Sequence, residues 1–193
     1  MFTGIIEVKV RVISVEKNGG MQVRVEKPRG WKLAKGQSVS VDGICSTIER
    51  FSATHFDVTY IRETLRVTTA GGWKSGRVVN LERSMKAGAH IEGHIVQGHV
   101  DGVGVVRLVR ARGNSKEVTI TAPHSLMRFV ARKGSVAVDG VSLTVAERTR
   151  TSFTAALVPY TLTHTTLGTL QKGDRVNIET DLFVRYLAAL RGK

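Results

Sequence analysis

The strongest constraint on the fold is a segment that the chain contains twice. VDGICSTI occupies 41–48 and VDGVSLTV occupies 138–145, an offset of 97 residues. Two downstream segments align at the same offset without a gap: ETLRVTTAG at 63–71 with YTLTHTTLG at 160–168, and SGRVVNLE at 75–82 with KGDRVNIE at 172–179. Three blocks in one register indicate two copies of one folding unit.

The beginning of each copy belongs to the repeat as well. FTGIIEVKVRVISV at 2–15 resembles VQGHVDGVGVVRLV at 96–109, which aligns Gly4 with Gly98. A period of about 95 residues is too long for a solenoid unit and fits a duplicated small domain. We therefore predict a first domain at 1–90, a second domain at 91–180 and a C-terminal segment at 181–193.

Each copy contains short segments rich in Val, Ile and Thr, and many of them alternate between apolar and polar residues as β-strands do. They are MQVRVE, SVSVDG and HFDVTYI in the first copy and EVTITA, SVAVDG and RVNIET in the second. Turn sequences such as KNGG, RGNS and QKGD separate them. Several short strands in about 90 residues predict an all-β fold, either a small closed barrel or a sandwich.

Two segments have helical character. PHSLMRFVA at 123–131 is short, whereas DLFVRYLAALRG at 181–192 places Leu182, Tyr186 and Leu190 near the spacing of one helix face. The apolar face of the second segment suits packing against another subunit.

The chain carries 29 Lys and Arg against 16 Asp and Glu, a net charge of +13. Such an excess favours a polyanionic partner where the basic residues cluster. Here they are spread along the chain, so we predict no nucleic-acid partner. The chain has no long apolar run, its first residues do not resemble a signal peptide, and its single cysteine, Cys45, suits a reducing compartment. These features predict a cytoplasmic protein that has no membrane partner.

The residues that recur in both copies are mostly small and polar. The aligned pairs are Ser38 and Ser135, Cys45 and Ser142, Thr47 and Thr144, Thr64 and Thr161, and Asn80 and Asn177. One interpretation is that strands and turns simply require such residues. The other is a shared binding surface whose hydroxyl groups bind a polyol chain or the imide edge of a heterocycle. No glycine-rich phosphate motif precedes a helix, which argues against a nucleotide phosphate site.

Two histidines, His94 and His99, lie near Asp101 in GHIVQGHVDG at 93–102. Their spacing would put them on opposite faces of a strand, and no further Cys or His cluster completes a coordination shell, so we predict no metal site. A histidine here could instead carry protons near neutral pH or be satisfied by the backbone.

Cys45 is the position at which the copies differ chemically, since its counterpart is Ser142. A buried, inert thiol is the ordinary interpretation of a lone cysteine. A thiol in one copy and a hydroxyl in the other would also make two similar pockets unequal in nucleophilicity and acidity.

Together these segments resemble the riboflavin synthases that contain two lumazine-binding repeats. The resemblance rests on MFTGII, GQSVSVDGICST, ETLRVT, GHIVQGHVDG, KGSVAVDGVSLTV, TLTHTTLG and RVNIETDLFVRY, in the family's order over essentially the whole chain. It implies two tandem six-stranded Greek-key β-barrels, a C-terminal α-helix and a homotrimer. It also implies that two molecules of 6,7-dimethyl-8-ribityllumazine react to give riboflavin and 5-amino-6-ribitylaminouracil, with no cofactor and no metal. Two identical substrates would explain two similar pockets.

Matching motifs carry the family's substrate-binding residues onto this sequence. An N-terminal pocket would contain Gly4, Ile5, Ile6, Cys45, Ser46, Thr47, Thr59, Tyr60, Ile61, Arg62, Glu63 and Thr64, with Ser38 nearby. A C-terminal pocket would contain Gly98, His99, Val100, Lys133, Ser142, Leu143, Thr144, Val158, Pro159, Tyr160, Thr161, Leu162 and Thr163. In the family, the N-terminal barrel of one subunit faces the C-terminal barrel of its neighbour, so that the proximity of two ring systems supplies much of the catalysis.

We predict that His99, Ser38 and Cys45 act as proton carriers or supply the transient nucleophile at C7 of one lumazine. Asp139 and Asp181 would assist from nearby. The C7 methyl group of the lumazine is itself acidic, so the protein mainly orients the substrates and moves protons.

Three positions depart from the family pattern. Ser46 stands where leucine is usual, which would make the first pocket more polar, and Tyr160 replaces an acidic residue expected near the ribityl chain. The segment after Asp181 is short for a trimer-forming helix.

Two other functions stay open at this point. Antenna proteins that bind lumazine or flavin without catalysis share the repeat, although MFTGI and Cys45 match the enzymes. The positive charge also allows an adaptor for nucleic acid or for an acidic partner such as a lumazine synthase shell, which a steeply salt-dependent association would reveal.

Overall fold

The computed structural model describes residues 1–17 and 19–191. In the first copy the elements are β1 Val8–Lys17, β2 Met21–Glu26, β3 Ser38–Val41, β4 Ile44–Thr47, β5 Arg50–Phe51, β6 His55–Tyr60, α1 Arg62–Val67 and β7 Val78–Arg83. In the second copy they are β8 Gly102–Arg112, β9 Ser115–Thr121, α2 His124–Met127, β10 Ser135–Val138, β11 Val141–Arg148, β12 Ser152–Leu157, α3 Pro159–His164, β13 Arg175–Thr180 and α4 Leu182–Leu190. A short 3-10 turn follows each of α1 and α3, at Ala70–Gly72 and Thr166–Thr169.

The second copy is a closed six-stranded barrel in the order β10, β11, β12, β9, β8, β13. Strands β10, β11 and β12 are neighbours joined by hairpins. The preceding strand, β9, pairs with β12 and is joined to β10 by a longer connection that contains α2, which makes a Greek key. The predicted all-β fold of two tandem barrels with a C-terminal helix is therefore confirmed.

The first copy has the same strand order, β4, β3, β7, β1, β2, β6, β5. Its counterpart of β11 is divided into β4 and β5, so the sheet is open between these two strands. The backbone N–H of Glu49 bridges the opening by donating to the carbonyl of Asp57 at 3.0 Å. Both copies are thus the same barrel, with one seam in the first.

The predicted strands are all present, and the helices differ from expectation. The segment predicted at 123–131 is helical only over α2, and the C-terminal helix covers Leu182–Leu190, while Gly192, where the prediction ended it, lies outside the described residues. Helices α1 and α3 were not predicted because their Thr and β-branched residues have weak helix propensity. The histidine segment 93–102 is not a strand either, since it forms only the isolated bridge between Phe2 and Val96 before β8 begins.

Each barrel has its own hydrophobic core. Phe56 and Leu81 are fully buried in the first core, and Phe153 and Ile178 in the second. Each such side chain stabilises the fold by about 1.5–3 kcal/mol relative to exposure. The segments that precede β1 and β8 depart from this division: Ile6 packs in the second core, and Val100 packs against the first. The domain limits 1–90 and 91–180 stay a prediction, and this packing crosses them.

The repeated Asp-Gly pair forms the tight turn of a hairpin in both copies. Asp42 and Gly43 have φ of 47° and 79°, and Asp139 and Gly140 have φ of 46° and 80°. Two successive residues with positive φ define the type I′ turn, which Asp-Gly favours. The two turns also touch, because a Cβ on Gly43 would lie 2.6 Å from the backbone nitrogen of Gly140. The repeated motif therefore makes a turn and a contact between the repeats.

The repeated asparagines connect the two barrels. The side-chain amide of Asn80 donates to the carbonyl of Asp139 at 3.0 Å, and that of Asn177 donates to the carbonyl of Asp42 at 2.8 Å. Both side chains are buried. For this pair, the structural interpretation of the repeat is correct and the binding-surface interpretation is wrong.

Candidate functional site

The predicted hydroxyl and thiol groups share the outer face of each barrel. Directly paired residues of antiparallel strands point to the same face, and Ser38 pairs with Thr47 while Ser40 pairs with Cys45. The alternate residues of β4, Ile44 and Ser46, are buried. Ser142 and Thr144 have the same alternation in β11, between buried Val141 and Leu143. The structure thus brings Ser38, Cys45 and Thr47 together outside the core of the first barrel.

The segment before each barrel completes the outer face of the opposite barrel. The N–H of Ser142 donates to the carbonyl of Gly4 at 2.8 Å, and the N–H of Cys45 donates to the carbonyl of Gly98 at 2.8 Å. A Cβ on Gly4 would lie 2.6 Å from Cβ of Ser142, and a Cβ on Gly98 would lie 2.7 Å from Cβ of Cys45. Only glycine permits such approaches.

This crossing corrects the composition of the two predicted pockets. The sequence grouped Gly4, Ile5 and Ile6 with Cys45, and Gly98, His99 and Val100 with Ser142. The grouping is wrong, because it assigned each segment to the barrel that follows it in the chain. With this correction, the predicted Cys45 site comprises Ser38, Cys45, Thr47 and residues 59–64 and 98–100, and the predicted Ser142 site comprises Lys133, Ser142, Thr144 and residues 4–6 and 158–163.

Cys45 lies half-buried at the junction of the two repeats. Its side chain packs against buried Phe2, Val96 and Ala137, and its neighbour in space, Gly98, is followed by exposed His99. The thiol and the imidazole are thus carried by segments in direct contact. Their roles in proton transfer stay predictions.

Ser46 faces the interior of the first barrel. Its hydroxyl lies 2.9 Å from the hydroxyl of Tyr60 and donates to the carbonyl of Ile44 at 2.9 Å. Burial raises the pKa of Tyr60, so its phenol is neutral. The expectation that Ser46 makes the pocket more polar is therefore wrong, since both hydroxyl groups satisfy each other within the core.

His94, which the sequence left open as a proton carrier or a histidine satisfied by the backbone, lies beside Ser142. Nδ1 of His94 lies 2.7 Å from Oγ of Ser142. Burial lowers the pKa of His94, and the nearby Asp181 carboxylate opposes this shift. Asp181 also caps α4 by accepting the N–H of Phe183 at 2.8 Å. The proximity of His94 to Ser142 arises from the crossing of segments, which the sequence pattern did not reveal.

The equivalent helices α1 and α3, which carry predicted site residues, present different surfaces. In α1, Glu63 and Arg66 form an ion pair at 2.6 Å, whereas in α3 the ring of Tyr160 stacks on that of His164 with centroids 3.9 Å apart. Both elements are exposed, and the large apolar side chains of Ile61 and Val158 beside them are exposed as well. The two repeats therefore carry an ion pair on α1 and a stacked aromatic pair on α3 at equivalent positions.

Lys133 has an unusual backbone at the edge of the Ser142 site. Its φ is 64°, whereas the aligned residue of the first repeat is Gly36, with φ of 82°. A side chain in this left-handed region costs roughly 1 kcal/mol. The second repeat thus carries an exposed ammonium group where the first has none.

Asp139 is buried at the turn between β10 and β11. Burial and the nearby Asp42 carboxylate raise its pKa well above the ordinary value, and it lines a cavity of about 560 Å³ between the barrels, beside Trp73 and Arg77. Cys45, His99 and Ser142 do not line this cavity. The catalytic role predicted for Asp139 stays a prediction.

Comparison with known proteins now defines the class. A family model described as the lumazine binding domain matches residues 3–84 and 97–181, once for each repeat. A curated relative named riboflavin synthase from Brucella abortus (strain 2308) is 41% identical, over 98% of this chain and 98% of its own length. Riboflavin synthases from Actinobacillus pleuropneumoniae and Escherichia coli (strain K12) are 37% and 36% identical, over 97% and 94% of this chain and 88% and 87% of their own lengths. The chain therefore belongs to the riboflavin synthase family.

Solved structures agree on the fold. A crystal structure of LumP complexed with riboflavin matches with a TM-score of 0.87 at 24% identity, over 93% of this chain and 99% of that chain. A second, of LumP complexed with 6,7-dimethyl-8-(1'-D-ribityl) lumazine, matches with a TM-score of 0.84 at 24% identity over the same shares. Among the described residues, no helix is both long and apolar enough to cross a membrane. Nor, within residues 1–17 and 19–191, do three or more His, Cys, Asp or Glu side chains gather in a group that could hold a metal ion.

Proposed function

We propose that the protein is a riboflavin synthase, a transferase that moves a four-carbon unit between two molecules of 6,7-dimethyl-8-ribityllumazine. The products are riboflavin and 5-amino-6-ribitylaminouracil. The observation that carries this proposal is the pair of outer-face sites, which the two repeats build from matching strands, turns and helices. A reaction between two copies of one compound requires two such sites. The atoms of two lumazines equal those of the two products, so the transfer consumes no further reactant.

The residues of each site have separate tasks in this proposal. Exposed polar groups of residues 59–64 and 158–163 bind the ribityl chains, and His99 and Cys45 move protons or add transiently to C7 of one lumazine, with Ser38 on the same face. Asp181 assists the Ser142 site through His94. Holding two rings in contact removes the entropy cost of a bimolecular encounter, a contribution that reaches about 7–11 kcal/mol in well-oriented systems.

We further propose a homotrimer in which the Cys45 site of one subunit faces the Ser142 site of its neighbour. The exposed apolar residues of α4 support this arrangement, since Phe183 is 60% exposed and Leu190 is 86% exposed. An apolar helix face of this kind is typical of an interaction surface. Both sites also lie on outer faces, where a second subunit can close them.

Turnover of the purified lumazine tests the proposed function. Riboflavin absorbance should grow without an added cofactor, and Cys45→Ala, His99→Ala and Ser38→Ala should each lower the rate by about 10²-fold or more, a typical contribution of a proton-transfer group. Ser115→Ala, in the distant β8–β9 hairpin, serves as the matched control. Unchanged rates in all three variants would contradict the assigned roles.

The alternative function is binding of lumazine or flavin without catalysis. The structural match to LumP in complex with riboflavin favours it at the level of the fold. Tight binding of the lumazine with no riboflavin formed would establish it in place of the enzyme. The lone thiol supports a cytoplasmic location, and association with lumazine synthase, predicted from the positive charge, would weaken steeply with added salt.

A further inference from the structure

Two buried carboxylates lie directly behind the segments that cross between the repeats. Glu82 on β7 and Glu179 on β13 occupy the same position in the two copies, and both are buried. Neither belongs to the predicted sites. In the sequence they stand at the ends of the aligned segments VVNLE and RVNIE.

Glu82 binds the segment that completes the Ser142 site. Its Oε1 accepts the backbone N–H of Thr3 at 2.6 Å and the Thr3 hydroxyl at 2.8 Å, and its Oε2 accepts the N–H of Gly4 at 3.0 Å. The carbonyl of the same Gly4 accepts the N–H of Ser142. A side chain of the first barrel thus fixes a contact on the second barrel.

Glu179 makes the equivalent contacts with the segment that completes the Cys45 site. Its Oε1 accepts the N–H of Gln97 at 2.7 Å, and its Oε2 accepts the N–H of Gly98 at 2.9 Å. The carbonyl of Gly98 accepts the N–H of Cys45. The residue after Gly98 is His99, so the same carboxylate also fixes the backbone that carries the imidazole.

We propose that Glu82 and Glu179 are positioning residues, each of which holds the segment that completes the substrate site of the opposite repeat. This inference rests on the proposed function for the identity of the ligand, and on the geometry alone for the crossed connection. A carboxylate suits this task because each of its two oxygens accepts one of the two adjacent N–H donors, and it presents no donor to them.

Burying Glu82 and Glu179 costs free energy, which the hydrogen bonds from the crossing segments offset. Burial raises the pKa of both carboxyl groups, and the backbone N–H donors oppose that shift. Glutamine would present one oxygen and one NH₂ group, and the NH₂ group would face a second donor. Glu82→Gln and Glu179→Gln should therefore release one end of the crossing segment without changing the size of the side chain.

The single thiol of the chain provides a direct measurement. In the full-length protein, Glu179→Gln should raise the rate of Cys45 alkylation by iodoacetamide about fivefold, the factor expected for loss of one net hydrogen bond. Glu82→Gln should leave that rate within about twofold. In a Cys45→Ser, Ser142→Cys background, the thiol lies at the Ser142 site. There Glu82→Gln should raise the alkylation rate about fivefold, and Glu179→Gln should leave it within about twofold.

An effect of each glutamate variant on one thiol only distinguishes the positioning of a crossing segment from general destabilisation of the protein. A merely structural role would raise the reactivity of both thiols in both variants, and that result, or no change in any of the four proteins, would overturn the proposal. If a glutamine variant does not fold, the Asp variant at the same position is measured under the same criteria. Alkylation needs no turnover, so a wild-type protein that forms no riboflavin would refute the proposed function while the thiol pattern still decides this inference.

Discussion

Arg77 and Asp174 occupy equivalent positions in the two repeats and carry opposite charges. Arg77 lies 3.0 Å from the buried Asp42 carboxylate, which also accepts the N–H of Asn80 at 2.7 Å. Asp139 accepts the matching N–H of Asn177 at 2.7 Å, but its neighbouring charges include the Asp42 and Asp174 carboxylates. Arg77 thus pairs directly with Asp42, whereas burial and the neighbouring Asp42 carboxylate raise the pKa of Asp139 well above its ordinary value, and the charge of Arg77 opposes that shift only in part.

Replacing Asp139 should change how stability depends on pH. Because the pKa of Asp139 is higher in the folded state than in the unfolded state, its stabilising contribution is complete below the ordinary value and is lost as pH rises through the folded pKa. Asp139→Asn keeps the acceptor for Asn177 and cannot ionise, so this loss should disappear.

The measurement is the free energy of unfolding in urea at about pH 5 and about pH 8. Relative to wild type, the variant should gain stability at the higher pH. Asp174→Asn, at the exposed counterpart of Arg77, should give a smaller change in the same direction. An equal pH dependence in wild type and Asp139→Asn would contradict the argument.

Lys133 allows binding to be separated from folding. Lys133→Gly removes a left-handed strain of about 1 kcal/mol and adds a similar entropy cost to the unfolded chain, so stability should change by less than about 0.5 kcal/mol. If the ammonium group binds substrate, lumazine affinity should fall about tenfold, as fluorescence titration would detect. The mirror variant Gly36→Lys should lose about 1 kcal/mol of stability. Unchanged affinity in Lys133→Gly would remove this residue from the site.

At the scale of elements, α4 combines an anchored face with an exposed apolar face. Arg185 binds Asp101 and donates to the side-chain oxygen of Gln97 at 2.8 Å, which fixes the helix on the second barrel. Leu187 and Leu190 face away from that anchor and are exposed. The helix is thus held in place while its apolar residues remain uncovered within one chain.

Leu190→Glu should disrupt subunit association. A carboxylate in an apolar contact would have to be buried without a partner, which costs several kcal/mol, so the variant should sediment as a monomer and lose riboflavin formation. Sedimentation velocity would measure the mass, and circular dichroism the fold. Leu108→Glu, an exposed apolar position on β8, is the matched control and should stay associated. A variant that keeps the wild-type mass would contradict the proposed role of α4.

The elements also show where sequence reasoning succeeds. MQVRVE, HFDVTYI and RVNIET alternate largely between apolar and polar residues, so β2, β6 and β13 were predictable from the pattern alone. The burial of the polar residues Asn177 and Glu179 in β13 was not, because it arises from contacts with Asp42 and with the segment before β8. Helices α1 and α3 were not predictable either, because each is only six residues long and has no buried residue to give a helical pattern. The crossing of residues 4–6 and 98–100 was also missed, since it depends on contacts between distant residues and leaves no local periodicity.

At the scale of the whole molecule, the two barrels are joined by buried polar contacts in addition to the apolar cluster of Phe2, Val96 and Ala137. Asn177 donates to the carbonyl of Asp42, and its side-chain oxygen accepts the N–H of Thr69 at 2.7 Å. Asn80 makes the equivalent contacts in the other direction. Removing either side chain would leave its own partner carbonyl and N–H without these hydrogen bonds.

Asn177→Ala should destabilise the protein by about 2–4 kcal/mol, because it leaves a buried carbonyl and a buried N–H without partners. Both tryptophans, Trp31 and Trp73, lie in the first repeat, so their fluorescence reports on that repeat while circular dichroism reports on both. In wild type the two urea transitions should coincide. Asn80→Ala should give a loss of similar size, and separate transitions in wild type would show that the barrels unfold independently.

The segments before β1 and β8, each of which packs on the opposite repeat, suggest how such a chain could have arisen. An ancestor of half this length would have carried one glutamate, one glycine and one hairpin, and its leading segment could have completed a site only on a second copy of itself. Fusion of two such chains would then have preserved an existing partnership. Divergence of the two halves after such a fusion would account for the thiol at position 45 and the hydroxyl at position 142.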